Sequence, residues 1–561
     1  MKKALLTVFA LCLGLFSFGN TFQEQIKVNI LLTEQSDPVA LSRAASWLPT
    51  RQERRTYVVD ALKRQAEASQ QELMGLLREL EQQGLVSEIQ PLWIVNSIRC
   101  YATQEVILSL KGRSDIQTIY PCKELHGLFD DETTLVACDN RREIAENLLK
   151  VNVDKVWELG YTGQGVLIAI IDTGVSLTHS DLQGRFWDGG AEYPNHGYDF
   201  YSHDNDPSDT HGHGTHVAGT LVGTGASGTQ TGVAPNAELM VLKVFHGEDN
   251  LTEPTLWVEA MQFALEHGAD VLNMSLGQPL PDADVKLMSR QACDNTLAAG
   301  VVAAVCAGNT RQIQMLAPVP HNIWSPGDCP PPQLHEDQMV NAGGTSCVIC
   351  VGAVDNNDAL GGFSSEGPST WTDVSFYNDY PYVSNSSTSI GLIRPDVCAP
   401  GVNVKSLDYT NDSGYCLKSG TSMATPLVAG TIALMLSKDP ELTPAQIDEI
   451  LERTSIPLSE HKSNDFGSGR IDALAAVNAV DYDDIEETTL EVNVFPNPTY
   501  DHLTIVGEEM RQVSVFSMDG KLAKIVENPG NTLRIDGLDN GVYMLKIDTQ
   551  KGLITKKIVI L

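Results

Sequence analysis

At 561 residues the chain is too long for a single hydrophobic core, so three or four domains are expected. Its composition is that of globular protein, but 38 Lys+Arg stand against 72 Asp+Glu, a formal net charge of −34. That balance argues against nucleic acid and anionic membrane as partners, because each phosphate contact calls for a Lys or Arg.

Met1-Lys2-Lys3 precedes an apolar run from Ala4 to Phe18 that is too short to span a bilayer. It reads as a secretory signal peptide over residues 1–20. Of the 11 cysteines only Cys12 lies in that leader, as apolar filler. Cys347 and Cys350 have C-x-x-C spacing, but no second pair or His cluster accompanies them, which argues against zinc. In an exported chain some disulfides are expected, with connectivity open.

Ile26 to Leu32 reads as a strand, followed by a long helix from about Glu53 to Gln83 with Leu73, Leu76, Leu77 and Leu80 on one buried face. Strands at Ile89–Val95 and Ser97–Ala102, a helix at Gln104–Leu110 and a strand at Ile116–Tyr120 complete a β-α-β-β-α-β order, that of a ferredoxin-like α+β unit. An acidic stretch, 129–139, then reads as a loop or linker. From Val151 onward, short apolar strands at Val166–Ile171, Leu239–Val244, Val271–Gly277 and Val301–Cys306 alternate with helices, including Pro254–His267. This predicts an α/β domain with a parallel sheet covered on both faces. Thr443-Pro444-Ala445-Gln446 is a capping box that opens another helix. The charge run Asp481–Glu487 reads as a solvated linker. After it, short alternating strands punctuated by Asn497-Pro498, Asp519-Gly520, Pro529-Gly530 and Asn540-Gly541 predict a small β-sandwich.

Chemistry in an open parallel sheet gathers beyond the carboxyl ends of its strands. Asp172, the segment Ser275-Leu276-Gly277 and the segment Ala307-Gly308-Asn309 all follow apolar runs. His213 opens the small-residue stretch His213-Gly214-Thr215-His216-Val217-Ala218-Gly219-Thr220, where it reads as a helix-capping group or a metal ligand; the H-E-x-x-H spacing of zinc proteases is absent. Ser422, in Ser419-Gly420-Thr421-Ser422-Met423-Ala424-Thr425-Pro426, stands where a buried helix begins. There it reads either as an N-cap or as a nucleophile beside free N–H groups. Pro426 is expected in the first turn of that helix, where a missing N–H goes unnoticed.

Together, Asp172-Thr173-Gly174, His213 to Thr220, Asn273 to Gly277, Ala307-Gly308-Asn309 and Gly420 to Pro426, in that order, resemble the subtilisin family of serine proteases. The resemblance covers about Val151 to Val480. It implies a serine endopeptidase in which Ser422 attacks, His213 moves the proton, Asp172 orients His213, and Asn309 with the Ser422 N–H holds the oxyanion. It further implies that Ser275, Leu276 and Gly277 pair with an extended substrate, and that Ala307 and Gly308 wall the pocket for the residue before the cut. The segments 312–346 and 369–390 are additions, and the first, which contains Trp324, is expected beside the cleft. No cofactor is implied for the chemistry. Asp199, Asp204, Asp206 and Asp209 read as a structural calcium loop or, equally, as a solvated acidic loop.

The N-terminal unit is similar to the propeptide of secreted, bacillopeptidase-F-like subtilases, which implies an inhibitor and folding chaperone whose tail lies in the cleft. Val494-Phe495-Pro496-Asn497-Pro498, Met518-Asp519-Gly520-Lys521, Leu538 to Tyr543 and Lys556 to Val559 resemble the C-terminal sorting domain of type IX secretion. The expected plan is a signal peptide (1–20), a propeptide (21–140), a peptidase domain (141–480), an acidic linker (481–490) and a sorting domain (491–561). Protein or peptide substrates, the chain's own propeptide and outer-membrane secretion machinery are the implied partners, in a protein exported through the periplasm and outer membrane of a Gram-negative cell. A surface binding protein on the same scaffold, with little proteolysis, is the other reading; the intact Asp172, His213, Ser422 and Asn309 set argues against it.

Overall fold

The computed structural model describes residues 24–126, 134–136, 143–247, 250–313, 315, 317–334, 338, 344–371, 391–480, 493–495, 499, 502–506, 510–517, 522–527, 530, 532–535, 537–549 and 552–560. The chain divides into two compact units, Met1–Val480 and Asp481–Leu561. The signal segment, the acidic linker and nearly all of the 369–390 addition fall outside the described residues.

The framework of the first unit is a seven-stranded sheet in the order Val397–Pro400, Val348–Val354, Val302–Cys306, Val271–Met274, Leu167–Asp172, Glu238–Lys243 and Gly197–Asp199. All its pairings are parallel. Successive side chains of a strand point to opposite faces. In the strand Leu167–Asp172, Ile168 and Ile170 accordingly join one core while Ala169 and Ile171 join the other. The first core is completed by the helices His213–Val222 and Thr421–Lys438, the second by Pro254–Glu266 and Ala283–Ala298. Two-sided burial is why the strands read as continuous apolar runs. The helix Ala283–Ala298 has no clean periodicity, because even its Lys286 and Arg290 are buried, and the sequence reading passes over it.

Ahead of this core, a four-stranded antiparallel sheet in the order Val86–Leu92, Ser97–Thr103, Gln25–Leu32, Ile116–Pro121 carries the 32-residue helix Arg51–Gln82. The α+β order of the sequence reading is found there, with an additional helix, Pro38–Ala45, capped by Asp37. The expected strand over 89–95 instead spans Val86–Leu92. Beyond Leu92 the chain turns, and the N–H groups of Trp93 and Ile94 donate to Gln262 Oε1 of the larger core at 2.7 and 3.2 Å. Val28, Ile30 and Leu32 face this unit's own helices, whereas Leu31 packs into the second core of the parallel sheet. The two sheets are therefore joined by an apolar contact. Buried ion pairs reinforce it: Arg99 lies 2.7 Å from Glu259, and Arg51 and Arg55 lie 2.9 and 2.7 Å from Asp270.

The second unit consists of a three-stranded and a four-stranded sheet, all pairs antiparallel, around one core that includes Leu503, Val513, Leu533, Leu545 and Ile558. This is the small β-sandwich of the sequence reading. The expected disulfides do not form at the described Cys100, Cys122, Cys293, Cys306, Cys329, Cys347, Cys350 and Cys398, which are free thiols, all but Cys122 buried. Buried thiols pack as small apolar side chains, which removes any need to bridge them.

The capping box at Thr443 forms as expected and starts the helix Pro444–Thr454, which buries Asp448 and Glu452 one turn apart. Lys462 Nζ donates to Glu452 at 2.6 and 2.7 Å, but Asp448 Oδ1 has no hydrogen-bond partner among the described residues. Burial, and next the neighbouring charge of Glu452, push the Asp448 carboxyl well above the usual range. A raised carboxyl favours the fold below its unfolded value, and that contribution is lost as pH rises through the folded value. Asp448→Asn should therefore raise Tm at pH 8, by roughly 2 °C or more, and the gain should vanish near pH 4. Thermal unfolding at both pH values checks this; an equal change at both contradicts it.

Candidate active site

The strand Leu167–Asp172 ends in a carboxylate at the carboxyl edge of the sheet, 1% exposed. His213, fully buried, opens the helix His213–Val222, and its Nδ1 lies 2.7 Å from Asp172 Oδ1. Gly214 permits this approach, since a Cβ there would stand 2.0 Å from the carbonyl oxygen of Gly174. Asp209 braces the same corner. Its Oδ1 accepts from Thr173 Oγ1 at 2.9 Å and from the N–H groups of His211 and Gly212 at 2.9 and 2.8 Å. Its Oδ2 accepts from the Thr215 N–H at 2.9 Å and from Thr215 Oγ1 at 2.5 Å. The sequence reading places Asp209 in an acidic loop and misses this role; its position shortly ahead of a helix start was the available signal.

The other carboxylates of that loop have donors of their own. Asp199 accepts from the N–H groups of Tyr201 and Ser202 and lies 3.0 Å from Lys243 Nζ. Asp204 accepts from the Asp206 N–H, and Asp206 from the Ser208 N–H. Among the described residues no group of acidic, His or Cys side chains is placed to hold a metal.

Ser422 is the second residue of the helix Thr421–Lys438. Its N–H is thus among the four that a helix start leaves without an intrahelical partner. Pro426 corrects the expectation for this segment: it is the sixth helical residue, beyond the first turn. Lacking an N–H, it cannot bond the carbonyl of Ser422 four residues earlier. That carbonyl accepts instead from Ser275 Oγ at 2.9 Å, while Ser422 Oγ donates to the Ser275 carbonyl at 3.2 Å. The reciprocal pair fastens the helix start to the segment following the strand Val271–Met274. Asn309, three residues beyond the strand Val302–Cys306, is oriented by its Oδ1, which accepts from the N–H and Oγ1 of Thr421, both at 3.0 Å. The amide nitrogen is thereby turned toward the helix start, and it lies 3.4 Å from where a Cβ on Gly420 would stand. Thr421 Oγ1 is also the acceptor of the Gly308 N–H at 3.1 Å.

Asp172, His213, Ser275, Leu276, Ala307, Gly308, Asn309 and Ser422 therefore converge on one edge of the sheet. Leu276 and Ala307 are fully buried. Gly277 adjoins Trp324 of the addition that follows Asn309. Behind Ser422 lies Cys306, whose thiol is pushed up to about 12 by burial, so it stays protonated and donates to the Leu276 carbonyl at 3.3 Å. A hydroxyl nucleophile, an imidazole base oriented by a carboxylate, and amide donors for a developing oxyanion are the parts that acyl transfer needs.

Residues 163–472 match the subtilase family, and residues 493–561 match a secretion-system C-terminal sorting domain. Bacillopeptidase F of Bacillus subtilis (strain 168) is 28% identical over 561 residues, an alignment that covers 91% of this chain but 36% of that protein. The chain thus spans about a third of that relative. Serine protease AprX of the same organism is 29% identical over 412 residues, covering 67% of this chain and 79% of its own. Subtilisin DY of Bacillus licheniformis is 33% identical over 326 residues, covering 58% and 96%.

The Ser275–Ser422 link can be tested by a double-mutant cycle. Ser275→Ala leaves the buried Ser422 carbonyl unsatisfied and should cost about 1–3 kcal/mol in denaturant unfolding. Pro426→Ala supplies an N–H to the same carbonyl, so Ser275→Ala should cost measurably less in that background. Strict additivity of the two substitutions contradicts the link.

Proposed function

The chain belongs to the subtilase family and is a serine endopeptidase, and on that premise we propose that Ser422, His213 and Asp172 are its catalytic triad, with Asn309 in the oxyanion hole. The observation that carries the assignment is the buried 2.7 Å pair of His213 and Asp172, on the same sheet edge at which the Ser422 helix begins. Ser422 Oγ adds to the peptide carbonyl as His213 Nε2 takes its proton. Asp172 fixes the imidazole through Nδ1 and stabilises its protonated form. The negative oxygen of the tetrahedral intermediate is met by Asn309 Nδ2–H and the Ser422 N–H. Such a side-chain donor is worth about 10²–10³ in turnover. The intermediate collapses to an acyl-enzyme as His213 gives its proton to the leaving amine, and a water molecule, activated in the same way, releases the acyl group. Ser275, Leu276 and Gly277 pair with the extended substrate, and Ala307 and Gly308 wall the pocket for the residue before the cut.

The same reading makes residues 21–140 a propeptide that the enzyme removes itself. Support comes from the strand Leu125–His126, which leaves the N-terminal sheet and pairs antiparallel with Leu251–Thr252 of the peptidase. The sorting domain then directs the enzyme through a type IX system, across the periplasm and outer membrane of a Gram-negative cell, to the surface or medium.

Ser422→Ala should abolish processing and leave a precursor lacking only its signal peptide. In the wild type, N-terminal sequencing should place the new terminus between His126 and Glu143. Normal maturation of the Ser422→Ala protein, in a host without other proteases, contradicts the assignment. Deletion of residues 491–561 should leave an active enzyme retained inside the outer membrane. Export of the truncated protein, or loss of its activity while folded, contradicts the role given to the tail.

A further inference from the structure

Trp324 belongs to the added segment after Asn309, and it is 1% exposed. Its backbone enters between two segments that border the site. The Trp324 N–H donates to the Ala307 carbonyl at 3.0 Å, the Ser325 N–H donates to the Gln278 carbonyl at 3.1 Å, and the Ser325 carbonyl accepts from the Gln278 N–H at 2.9 Å. Its side chain lies against the glycines of both segments. A Cβ on Gly308 would stand 2.4 Å from the indole Cδ1, and one on Gly277 would stand 2.9 Å from the Cβ of Trp324 and 3.5 Å from Cε3. Gly308 also has φ +108°, a conformation that itself favours glycine. The space left by two missing side chains is thus filled by one indole.

The indole is fixed from several sides. Its Nε1–H donates to Thr310 Oγ1 at 3.0 Å, and the Trp324 backbone carbonyl accepts from the Asp328 N–H at 3.1 Å. Thr310 is held in turn, with Asn322 Nδ2 donating to its carbonyl at 3.2 Å. Rotating the indole away would break the buried Nε1 bond, which opposes a swing that makes room for a large side chain.

We propose that Trp324 fills the pocket that receives the side chain preceding the cut bond, so that this enzyme selects peptides with glycine, alanine or serine at that position. The proposal rests on the assignment of Ser422 as nucleophile with Gly277 and Gly308 as pocket walls. Its physical basis is exclusion. A benzyl or isobutyl group cannot share a volume already occupied by an indole, whereas a hydrogen, a methyl or a hydroxymethyl group can be placed at the rim.

The test is a set of peptides that differ only in the residue before the cut, assayed with the mature full-length enzyme, with Trp324→Ala and with Trp324→Phe. For the wild type, kcat/KM with alanine should exceed that with phenylalanine or leucine by at least about tenfold, as expected for steric discrimination in a pocket. Trp324→Ala should shrink or reverse that ratio, with Trp324→Phe intermediate. A wild-type preference for phenylalanine or leucine overturns the proposal even if Trp324→Ala fails to fold, as does a ratio unchanged in folded Trp324→Ala. Ser422→Ala, assayed alongside, separates the two levels. Cleavage that persists in that variant overturns the active-site assignment itself. Serine-dependent cleavage after large residues overturns the filled pocket alone.

Discussion

The active-site edge depends on how the buried helix Thr421–Lys438 is fastened to the sheet at its first turns. Pro426 removes one intrahelical bond, and the carbonyl it releases belongs to Ser422, a residue 2% exposed. Such a group needs a partner, and Ser275 Oγ supplies it. Because Ser275 lies just past the strand Val271–Met274, the helix start is registered against the strand ends to within a hydrogen bond. Thr421 extends the same registration to the next strand through Asn309 and Gly308. These contacts thus set Ser422, Asn309 and Gly308 relative to one another.

The other half of the site is built by a separate device. Asp172 and His213 come from an inner strand and a helix N-terminus, and Asp209 ties the two together by accepting five donors from the Thr173 and Thr215 neighbourhoods. Asp209, at the end of the acidic loop, thus braces the start of the helix carrying His213. The N-terminal unit adds a further layer: its sheet contributes Leu31 and Leu92 to the core beneath the site, and Arg99 is buried against Glu259. Separating this unit from the parallel-sheet core would uncover apolar surface.

Much of this is legible in the sequence, for physical reasons that differ by residue. Strands buried on both faces are continuous apolar runs, so Leu167–Asp172 and Val302–Cys306 could be placed to within a residue or two. Asp172, His213, Asn309 and Ser422 sit at strand ends and helix starts, where short glycine-rich signatures are dictated by close backbone approach. The residues that orient them were not legible. Asp209 and Ser275 are ordinary polar residues whose roles exist only through contacts distant in sequence. Pro426 was read as a helix-start residue because proline is common there, and its carbonyl-freeing role appears only once the helix boundary is known. The helix Ala283–Ala298 escaped because both faces are buried, and the strand before Trp93 was misplaced because Gln262 of another segment ends it. Trp324 could be set beside the cleft from its place after Asn309, but its burial between Gly277 and Gly308 is a property of the folded chain.

The central claim is that peptide-bond cleavage by this enzyme proceeds through an acyl group carried on Ser422. Rapid acid quenching of the mature enzyme during turnover of an activated ester, followed by peptide mapping by mass spectrometry, measures this directly. The account predicts the acyl mass on the peptide containing Ser422, and its absence from the His213→Ala enzyme. An acyl group on another residue, or efficient hydrolysis without any covalent intermediate, would contradict it.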